Sequence, residues 1–130
     1  MLKKAMWLAR EAALRIKYMT TKDCLFCKIV KGDISIKPVL ETQKIIAFND
    51  INPIANIHIL IVPKKHIESV ETIKEEDSAQ VIEMFRAVQK LVKEKNLDSF
   101  RIAFNGGAYQ HVPHMHMHLL AGGSVKWSKL

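Results

Sequence analysis

Two segments of this 130-residue chain alternate between apolar and other side chains with a period of two. Residues 57–63 are mostly β-branched and end in a proline, and residues 114–120 interleave histidines with methionine and leucine. That period is typical of a β-strand, in which successive side chains point to opposite faces. We therefore predict two strands. In the second strand Met115, Met117 and Leu119 face a core, and the other face carries a row formed by His114, His116 and His118.

Weaker patterns predict the remaining elements. Apolar residues at helical spacing between about residues 75 and 95 indicate a long helix that covers one face of the sheet. These residues are Val81, Ile82, Met84, Phe85, Val88, Leu91 and Val92. Residues 25–30 predict a short helix or turn, and residues 38–42, 44–50 and 101–105 predict strands. The fold class is therefore α+β, with a five-stranded antiparallel sheet, one long helix and a short N-terminal helix.

The positive charge is concentrated in the first 22 residues. They contain six basic side chains and one acidic one, so they contribute +5 of the net +7 and leave +2 for the rest. A nucleic-acid surface across the body of the protein is therefore not expected. Residues 3–18 predict a basic helix, for which the alternatives are an organellar targeting segment, a membrane-surface helix and a packing helix. A natural start at Met19 is a further alternative.

Cysteine content and hydropathy point to a cytoplasmic protein. Cys24 and Cys27 form a single C-x-x-C, and without a secretory signal a metal or packing role is favoured over a disulfide. No apolar run approaches the ~20 residues that a membrane span needs. The expected localisation is cytoplasmic, with organellar targeting by residues 1–18 as the alternative.

The row of histidines is the strongest candidate for chemistry, because only histidine titrates unperturbed near neutral pH. Neighbouring members would lie roughly 6.5–7 Å apart, a distance that one phosphate-sized group can bridge. Such a row supplies a nucleophile, a proton donor and an anion binder. One zinc ion is not expected to bind all three, since the outer pair is roughly 13 Å apart and zinc–nitrogen bonds are about 2.0–2.1 Å long. Packing explains one strand histidine better than it explains three.

Several motifs resemble the histidine triad family, and within it the branch of purine nucleoside phosphoramidases. They are DCLFCKIVKGDI at 23–34, IIAFNDINPIANIHILIVPKKHI at 45–67, the histidine row, and Gly122-Gly123 with Trp127. The resemblance implies a catalytic domain over residues 23–130, preceded by a basic helical extension over residues 1–22. It also implies a homodimer with one continuous sheet.

The resemblance further implies a covalent mechanism that needs no cofactor. His116 would attack the α-phosphorus of a purine nucleoside monophosphate derivative and form a nucleotidyl-histidine, which water then hydrolyses. His114 and His118 would flank the phosphoryl group, and His58 would support the row. By the same correspondence the nucleotide-binding residues are Leu25, Phe26, Ile29, Phe48, Asp50, Ile51, Asn105, Gln110, His111 and Trp127.

Some of these positions also suit a purely structural role, or depart from the family's pattern. Leu25, Phe26 and Ile29 are equally compatible with ordinary core packing. The loop before the row is shorter than the family's usual loop, and His111 stands where a hydroxyl donor to the phosphate is usual. The imidazole either replaces that donor or leaves the role unfilled.

The C-x-x-C motif also has a counterpart in the family. Some bacterial relatives hold zinc with two thiolates and two histidines, and the matching positions here are Cys24, Cys27, His66 and His114. This donor set suits tetrahedral zinc. A structural zinc ion and a metal-free packing role remain as alternatives.

Three functions are compatible with these features. The first is a nucleoside phosphoramidase, and the second is a dinucleoside polyphosphate hydrolase that uses the same histidines. The third is a nucleotide-binding regulatory or scaffold protein whose hydrolysis is incidental. A nucleic-acid or membrane partner that acts through the basic extension is a further alternative.

Overall fold

The computed structural model describes residues 23–126, so the predicted helical extension of residues 1–22 lies outside the described residues. Helix α1 spans Leu25–Lys31 and helix α2 spans Ser78–Glu94. The strands are β1 (Leu40–Glu41), β2 (Ile45–Asn49), β3 (Ile57–Pro63), β4 (Arg101–Phe104) and β5 (Met117–Ala121). Single 3-10 turns cover Val70–Thr72, Glu75–Asp77 and Gly107–Tyr109. This arrangement confirms the predicted α+β class.

The five strands form one antiparallel sheet in the order β1-β2-β3-β5-β4. The central strand β3 pairs with β5 so that Leu60 lies opposite His118. Alternate residues of a strand share a face, so His58, two residues before Leu60, faces the same side as His118. The register alone thus brings two of the predicted site histidines onto one face of neighbouring strands.

Each face of the sheet covers its own hydrophobic core. The core beneath α2 contains, among others, Ile45, Ile59, Ile61, Met84, Leu91, Met115, Met117 and Leu119. The core beneath α1 contains Phe26, Ile29, Ile46, Phe48, Leu60, Val62 and Val112. The methionines of the histidine segment therefore face the α2 side, as their spacing predicted, and the histidines lie towards α1.

The buried side of α2 is narrower than the apolar pattern predicted. Its fully buried residues are Met84, Ala87, Val88 and Leu91, whereas Phe85 is 41% exposed and Ile82 is 50% exposed. Residues at i, i+3, i+4 and i+7 lie on one line along a helix, and Ile82 and Phe85 lie off that line. Their assignment to the covered face was wrong.

Strand β5 begins at Met117, three residues later than predicted. Before it, the backbone N–H of His114 donates to the carbonyl of Val112 at 2.8 Å, and that of Met115 donates to Ile67 at 2.6 Å. The chain here pairs with the segment that follows β3, because β3 itself ends at Pro63. The carbonyl of His114 thus lies outside the sheet ladder.

Within residues 23–126, no helix combines the length and the apolar character that crossing a membrane requires.

Candidate active site

The imidazole of His116 is oriented by the main chain of its own segment. Its Nδ1–H donates to the carbonyl oxygen of His114 at 2.8 Å, so the proton is on Nδ1 and the lone pair is on Nε2. Burial is the main cause that lowers the pKa of His116 to about 4, against the opposing effect of its hydrogen bond to the carbonyl of His114. The ring is therefore neutral at pH 7 and suited to act as a nucleophile.

A hydrogen-bond chain fixes the proton of His118. The backbone N–H of Ile54 donates to His58 Nδ1 at 3.2 Å, so His58 carries its proton on Nε2. That nitrogen lies 2.8 Å from His118 Nδ1 and donates to it. The remaining proton of His118 is therefore on Nε2, where the side-chain amide of Asn105 lies 3.5 Å away. This N–H can donate to a bound phosphoryl oxygen.

The same series of hydrogen bonds accounts for a second cluster of polar side chains that resembles a metal site. Ligand atoms of Asp50, His58 and His118 all lie within 4.8 Å of one another, as they would around a metal ion. However, the proton on His58 Nε2 occupies the nitrogen that would face the metal. Asp50 Oδ2 lies 3.4 Å from that nitrogen, and Asp50 Oδ1 accepts the backbone N–H of Asn52 at 2.8 Å. The cluster is a hydrogen-bond network and not a metal site.

His114 does not stand in the row beside the other two histidines. Its side chain is completely buried, and its Nε2–H donates to the carbonyl of Pro63 at 2.7 Å. Its unprotonated Nδ1 points at the two cysteines. Both ring nitrogens are engaged, so its imidazole does not flank the phosphoryl group as expected. It contributes to the candidate active site through its backbone carbonyl.

The four proposed metal ligands come together around one point. Nδ1 of His114 lies 3.3 Å from Cys24 Sγ and 3.5 Å from Cys27 Sγ, and Nδ1 of His66 lies 3.3 Å from Cys27 Sγ and 3.1 Å from His114 Nδ1. Tetrahedral zinc with ligands at about 2.0–2.3 Å has ligand–ligand separations of roughly 3.3–3.8 Å, close to these distances. Helix α1 positions both thiols, since Cys24 is its N-cap residue and Cys27 lies in its first turn.

The chemistry of this donor set also fits a cation. Burial, followed by the neighbouring Cys24, raises the pKa of the Cys27 thiol to about 12, so the site disfavours a thiolate in the absence of a positive charge. Burial lowers the pKa of His114 to about 4, and it lowers the pKa of His66 against the opposing effect of Glu68. Neutral imidazoles with free lone pairs are the protonation state that zinc requires.

The predicted base-binding residues are mostly part of the core beneath α1. Leu25, Phe26, Ile29 and Phe48 are all buried there. The ring of Phe26 lies edge-on to both Phe48 and His116, with centroids 6.0 and 5.0 Å apart. Phe26 therefore connects the core to His116. Ile51 is half-buried, and Trp127 lies outside the described residues.

Gln110 ties the loop before the row to the rest of the fold. Its side-chain amide donates to the carbonyl of Glu68 at 2.7 Å and to that of Val112 at 3.0 Å. Its amide nitrogen is thus committed to the loop, which differs from the expected nucleotide contact. The neighbouring His111 is exposed.

Several groups at the site leave little or no signal in the sequence. The N–H of Ile54 and the carbonyl of Pro63 are backbone groups, which residue type does not reveal. A cleft of about 250 Å³ next to Ile29 is lined by Ile34 and Ile36 among others. The alternation of these two isoleucines could have marked them as one apolar wall.

The buried neutral imidazole of His118 predicts a loss of stability in acid. Burial lowers its pKa to about 3, whereas a histidine in the unfolded chain has a pKa of about 6.5. The unfolded state therefore takes up the proton first, so this stabilisation is complete above about pH 6.5 and is lost as the pH falls towards 3. Between pH 7 and pH 5 the loss is about 2 kcal/mol for this residue.

This pH effect is measurable by urea unfolding of the wild-type and His118→Asn proteins at pH 7 and pH 5. The stability change between the two pH values should be smaller in the variant by about 2 kcal/mol. Equal changes in the two proteins would show that His118 is not held neutral.

Comparisons with known proteins agree with this geometry. The family model described as "Scavenger mRNA decapping enzyme C-term binding" matches residues 23–129. An adenosine 5′-monophosphoramidase of Danio rerio is 39% identical over 113 residues, which cover 82% of this chain and 71% of the relative. Another from Schizosaccharomyces pombe is 35% identical over 99 residues, covering 75% of this chain and 72% of the relative.

Solved structures show the same similarity. A histidine triad protein from Clostridium difficile matches with a TM-score of 0.76 and 41% identity, covering 82% of this chain and 96% of that one. A HIT family hydrolase from Legionella pneumophila matches with a TM-score of 0.76 and 38% identity, covering 83% and 100%. With its ordered motifs, its fold and the oriented histidines, the chain belongs to the histidine triad family and is an enzyme.

Proposed function

We propose that this enzyme hydrolyses the phosphorus–nitrogen bond at the α-phosphate of purine nucleoside 5′-phosphoramidates. Two of its relatives carry the name adenosine 5′-monophosphoramidase, which supports the substrate class. The observation that carries the proposal is the hydrogen bond from His116 Nδ1 to the carbonyl of His114, which leaves the Nε2 lone pair for attack.

The reaction would proceed in two displacements at phosphorus. His116 Nε2 attacks the α-phosphorus, and the amine departs to leave a nucleotidyl-histidine. Water then attacks the same phosphorus, releases the nucleoside monophosphate and restores the neutral imidazole. The Nε2–H of His118 donates to a phosphoryl oxygen in both steps, with its tautomer maintained by His58. Because its backbone acceptor is fixed, His116 need not reorient between the two steps.

The nucleoside would bind between α1 and the end of β2. The cleft beside Ile29, lined also by Ile34 and Ile36, offers apolar surface to a purine, and Phe48 belongs to the buried core that Ile29 shares. The carboxylate of Asp50, held by the backbone N–H of Asn52, would accept hydrogen bonds from the ribose hydroxyls. Asn105, beside His118, would contact the phosphate.

Mass spectrometry of the protein quenched during turnover of adenosine 5′-phosphoramidate tests this proposal. We expect release of adenosine monophosphate and a transient mass increase of one adenylyl group, located on His116. Neither adduct nor released nucleotide from a folded protein that binds adenosine monophosphate would refute the proposal and favour a nucleotide-binding role.

We also propose that Cys24, Cys27, His66 and His114 hold a structural zinc ion. Their thiol and imidazole donors converge within 4.8 Å, and Nδ1 of His114 is available because its proton is used on Pro63. When bound, the metal would supply the positive charge that two buried thiolates need. It would join α1 to the segment that follows β3 and to the segment that precedes β5.

Finally, we propose a homodimer that forms through β4. This strand is the outer one on its side of the sheet. Phe100 beside it is 45% exposed, and Ile102 within it is 37% exposed. Outer strands that expose backbone and apolar side chains readily pair with another chain. Light scattering should report a dimer for the wild type, and a monomer would refute the proposal.

A further inference from the structure

We propose that residues 122–126, the segment directly after β5, are a positioning element of the reaction. We call this segment the strap. Through Ile54 it keeps the proton of His58 on Nε2, and it thereby keeps the proton of His118 on the nitrogen that donates to the phosphoryl group. The inference rests on the proposed phosphoramidase function and adds to it a segment outside the histidine row.

The strap begins with a sharp turn at the end of β5. Gly122 and Gly123 have φ angles of +78° and +64°, in the left-handed region that residues with a Cβ rarely adopt. Two such residues in succession turn the chain out of the sheet and bring it to the loop between β2 and β3. There the backbone N–H of Lys126 donates to the carbonyl of Ile54 at 2.9 Å. The strap thus ties this loop to the end of β5.

Ile54 connects the strap to the histidines. Its carbonyl accepts the N–H of Lys126, and its own N–H donates to His58 Nδ1 at 3.2 Å. Because peptide groups are planar, only the φ and ψ rotations of Ile54 lie between its N–H and its carbonyl. A hydrogen bond at the carbonyl therefore restricts the direction in which the N–H points.

The position of the proton on His58 decides the position of the proton on His118. If His58 carried its proton on Nδ1, its Nε2 would become an acceptor, and His118 Nδ1, 2.8 Å away, would have to donate to it. The Nε2 of His118 would then present a lone pair to the phosphoryl oxygen instead of an N–H. Burial lowers the pKa of both rings, so at pH 7 neither holds a second proton that would compensate.

Asn56 leaves no room for a side chain at the start of the strap. A Cβ at position 122 would lie 3.0 Å from the Cβ of Asn56 and 3.3 Å from its Nδ2. The backbone sets the place of both Cβ atoms, so no side-chain rotation relieves this contact and the two main chains must separate. These main chains are joined by the hydrogen bond from the N–H of Asn56 to the carbonyl of Gly122, at 3.4 Å. A side chain at position 122 would therefore move the strap away from the loop.

Two substitutions at position 126 separate the backbone hydrogen bond from the side chain. Lys126→Pro removes the N–H that Ile54 accepts, whereas Lys126→Ala keeps this N–H and removes the charge. NMR of protein with ¹⁵N-labelled histidine, recorded at pH 7, shows which nitrogen of each neutral ring carries the proton. We expect His58 and His118 to be protonated on Nε2 in the wild type and in Lys126→Ala. In Lys126→Pro we expect a mixture of the two tautomers at both residues.

The rate of reaction should follow the fraction of the correct tautomer. A backbone hydrogen bond of ordinary strength shifts the ratio of two tautomers by about two- to tenfold. The carboxylate of Asp50, 3.4 Å from His58 Nε2, favours the same tautomer, so the shift is partial. For adenosine 5′-phosphoramidate we expect kcat/KM of Lys126→Pro to be about two- to tenfold below that of Lys126→Ala. This decrease should match the fraction of His118 that has lost its Nε2–H.

A second pair of variants tests the strap at its other end. Gly122→Ala adds the Cβ that meets Asn56, and Asn56→Gly removes the atoms that it meets. The left-handed strain at position 122 is the same with either residue at position 56, so a double-mutant cycle isolates the contact. We expect Gly122→Ala to produce mixed tautomers when Asn56 is present and to leave the tautomers unchanged in the Asn56→Gly protein.

The spectra decide the inference independently of turnover. Wild-type tautomers in Lys126→Pro would overturn it, even if that variant lost activity. An effect of Gly122→Ala that is the same with and without the Asn56 side chain would overturn it as well. A wild type with both protons on Nε2 that leaves adenosine 5′-phosphoramidate intact would instead refute the phosphoramidase function, so the two failures are distinguishable.

Discussion

Replacement of His116 by alanine is expected to abolish turnover while nucleotide binding persists. A hydrogen bond to the main chain holds this imidazole with its Nε2 lone pair directed away from the backbone. Without it no nucleotidyl intermediate forms, and we expect a loss of about 10³-fold or more in kcat. Adenosine monophosphate should still bind, because Asp50, Asn105 and His118 remain in place. Single-turnover kinetics and calorimetry measure the two quantities separately.

A smaller side chain at position 116 also allows a positive control. The cavity left by alanine adjoins Phe26, whose ring centroid lies 5.0 Å from that of His116 in the wild type. Free imidazole added at high concentration can enter such a cavity and should restore part of the activity. Activity of His116→Ala within about tenfold of the wild type would refute the covalent mechanism.

Removal of the proposed zinc ion is expected to produce the largest change in stability. A ligand present at about 1,000 times its Kd stabilises the folded state by about 4 kcal/mol. For a domain of this size that corresponds to a fall in Tm of roughly 15 °C or more when the metal is lost. The Cys24→Ser/Cys27→Ser variant should purify without metal and show this lower Tm. Elemental analysis and thermal unfolding with and without chelator measure the effect.

A second variant shows which cluster holds the metal. Asp50→Asn alters the other group of potential ligands, in which the proton on His58 Nε2 opposes metal binding. This variant should keep one zinc per chain, and cobalt in its place should show the charge-transfer absorption of thiolate ligands. A metal-free wild type whose melting is unaffected by chelator would contradict the zinc site.

The elements with a strong period were the ones best predicted from the sequence. Strand β3 occupies the predicted residues 57–63, since a run of β-branched residues closed by Pro63 has few other interpretations. The predicted start of β5 was wrong because the alternation of side chains extends back through His116 and His114. At these residues the chain pairs with the segment after β3, which is no longer a strand. The alternation of side chains shows which face of the sheet each residue lies on, whereas the backbone hydrogen bonds between strands decide where a strand begins.

The long helix shows a second limit of the pattern. Helical spacing with Val81, Val88 and Val92 placed Phe85 on the covered face, although its side chain is 41% exposed. An apolar residue in such a pattern can be buried or exposed, because folded proteins keep much apolar surface. Only the packing of α2 on β2 and β3 distinguishes the buried apolar residues of the helix from its exposed ones.

The sequence named the histidines that the structure brings together at the candidate site, but it did not indicate where their protons lie. The resemblance supplied His58, His116 and His118, and the structure brings them together. Which nitrogen carries each proton depends on the N–H of Ile54 and the carbonyls of Pro63 and His114. Any residue type offers those carbonyls, and all but proline offer the N–H, so no sequence pattern could have revealed them.

His114 serves the candidate active site through its backbone carbonyl and the cysteine cluster through its imidazole. Its carbonyl orients the ring of His116, and any amino acid at this position would offer the same atom. Its imidazole serves the cysteine cluster, which other residues could not do in the same way. The side chain of the histidine at the start of the triad is therefore dispensable to the proposed reaction but not to the proposed zinc site. An enzyme of this type could lose the proposed zinc site through changes at 24, 27, 66 and 114 and keep the proposed nucleotidyl transfer to His116, provided that core packing compensates.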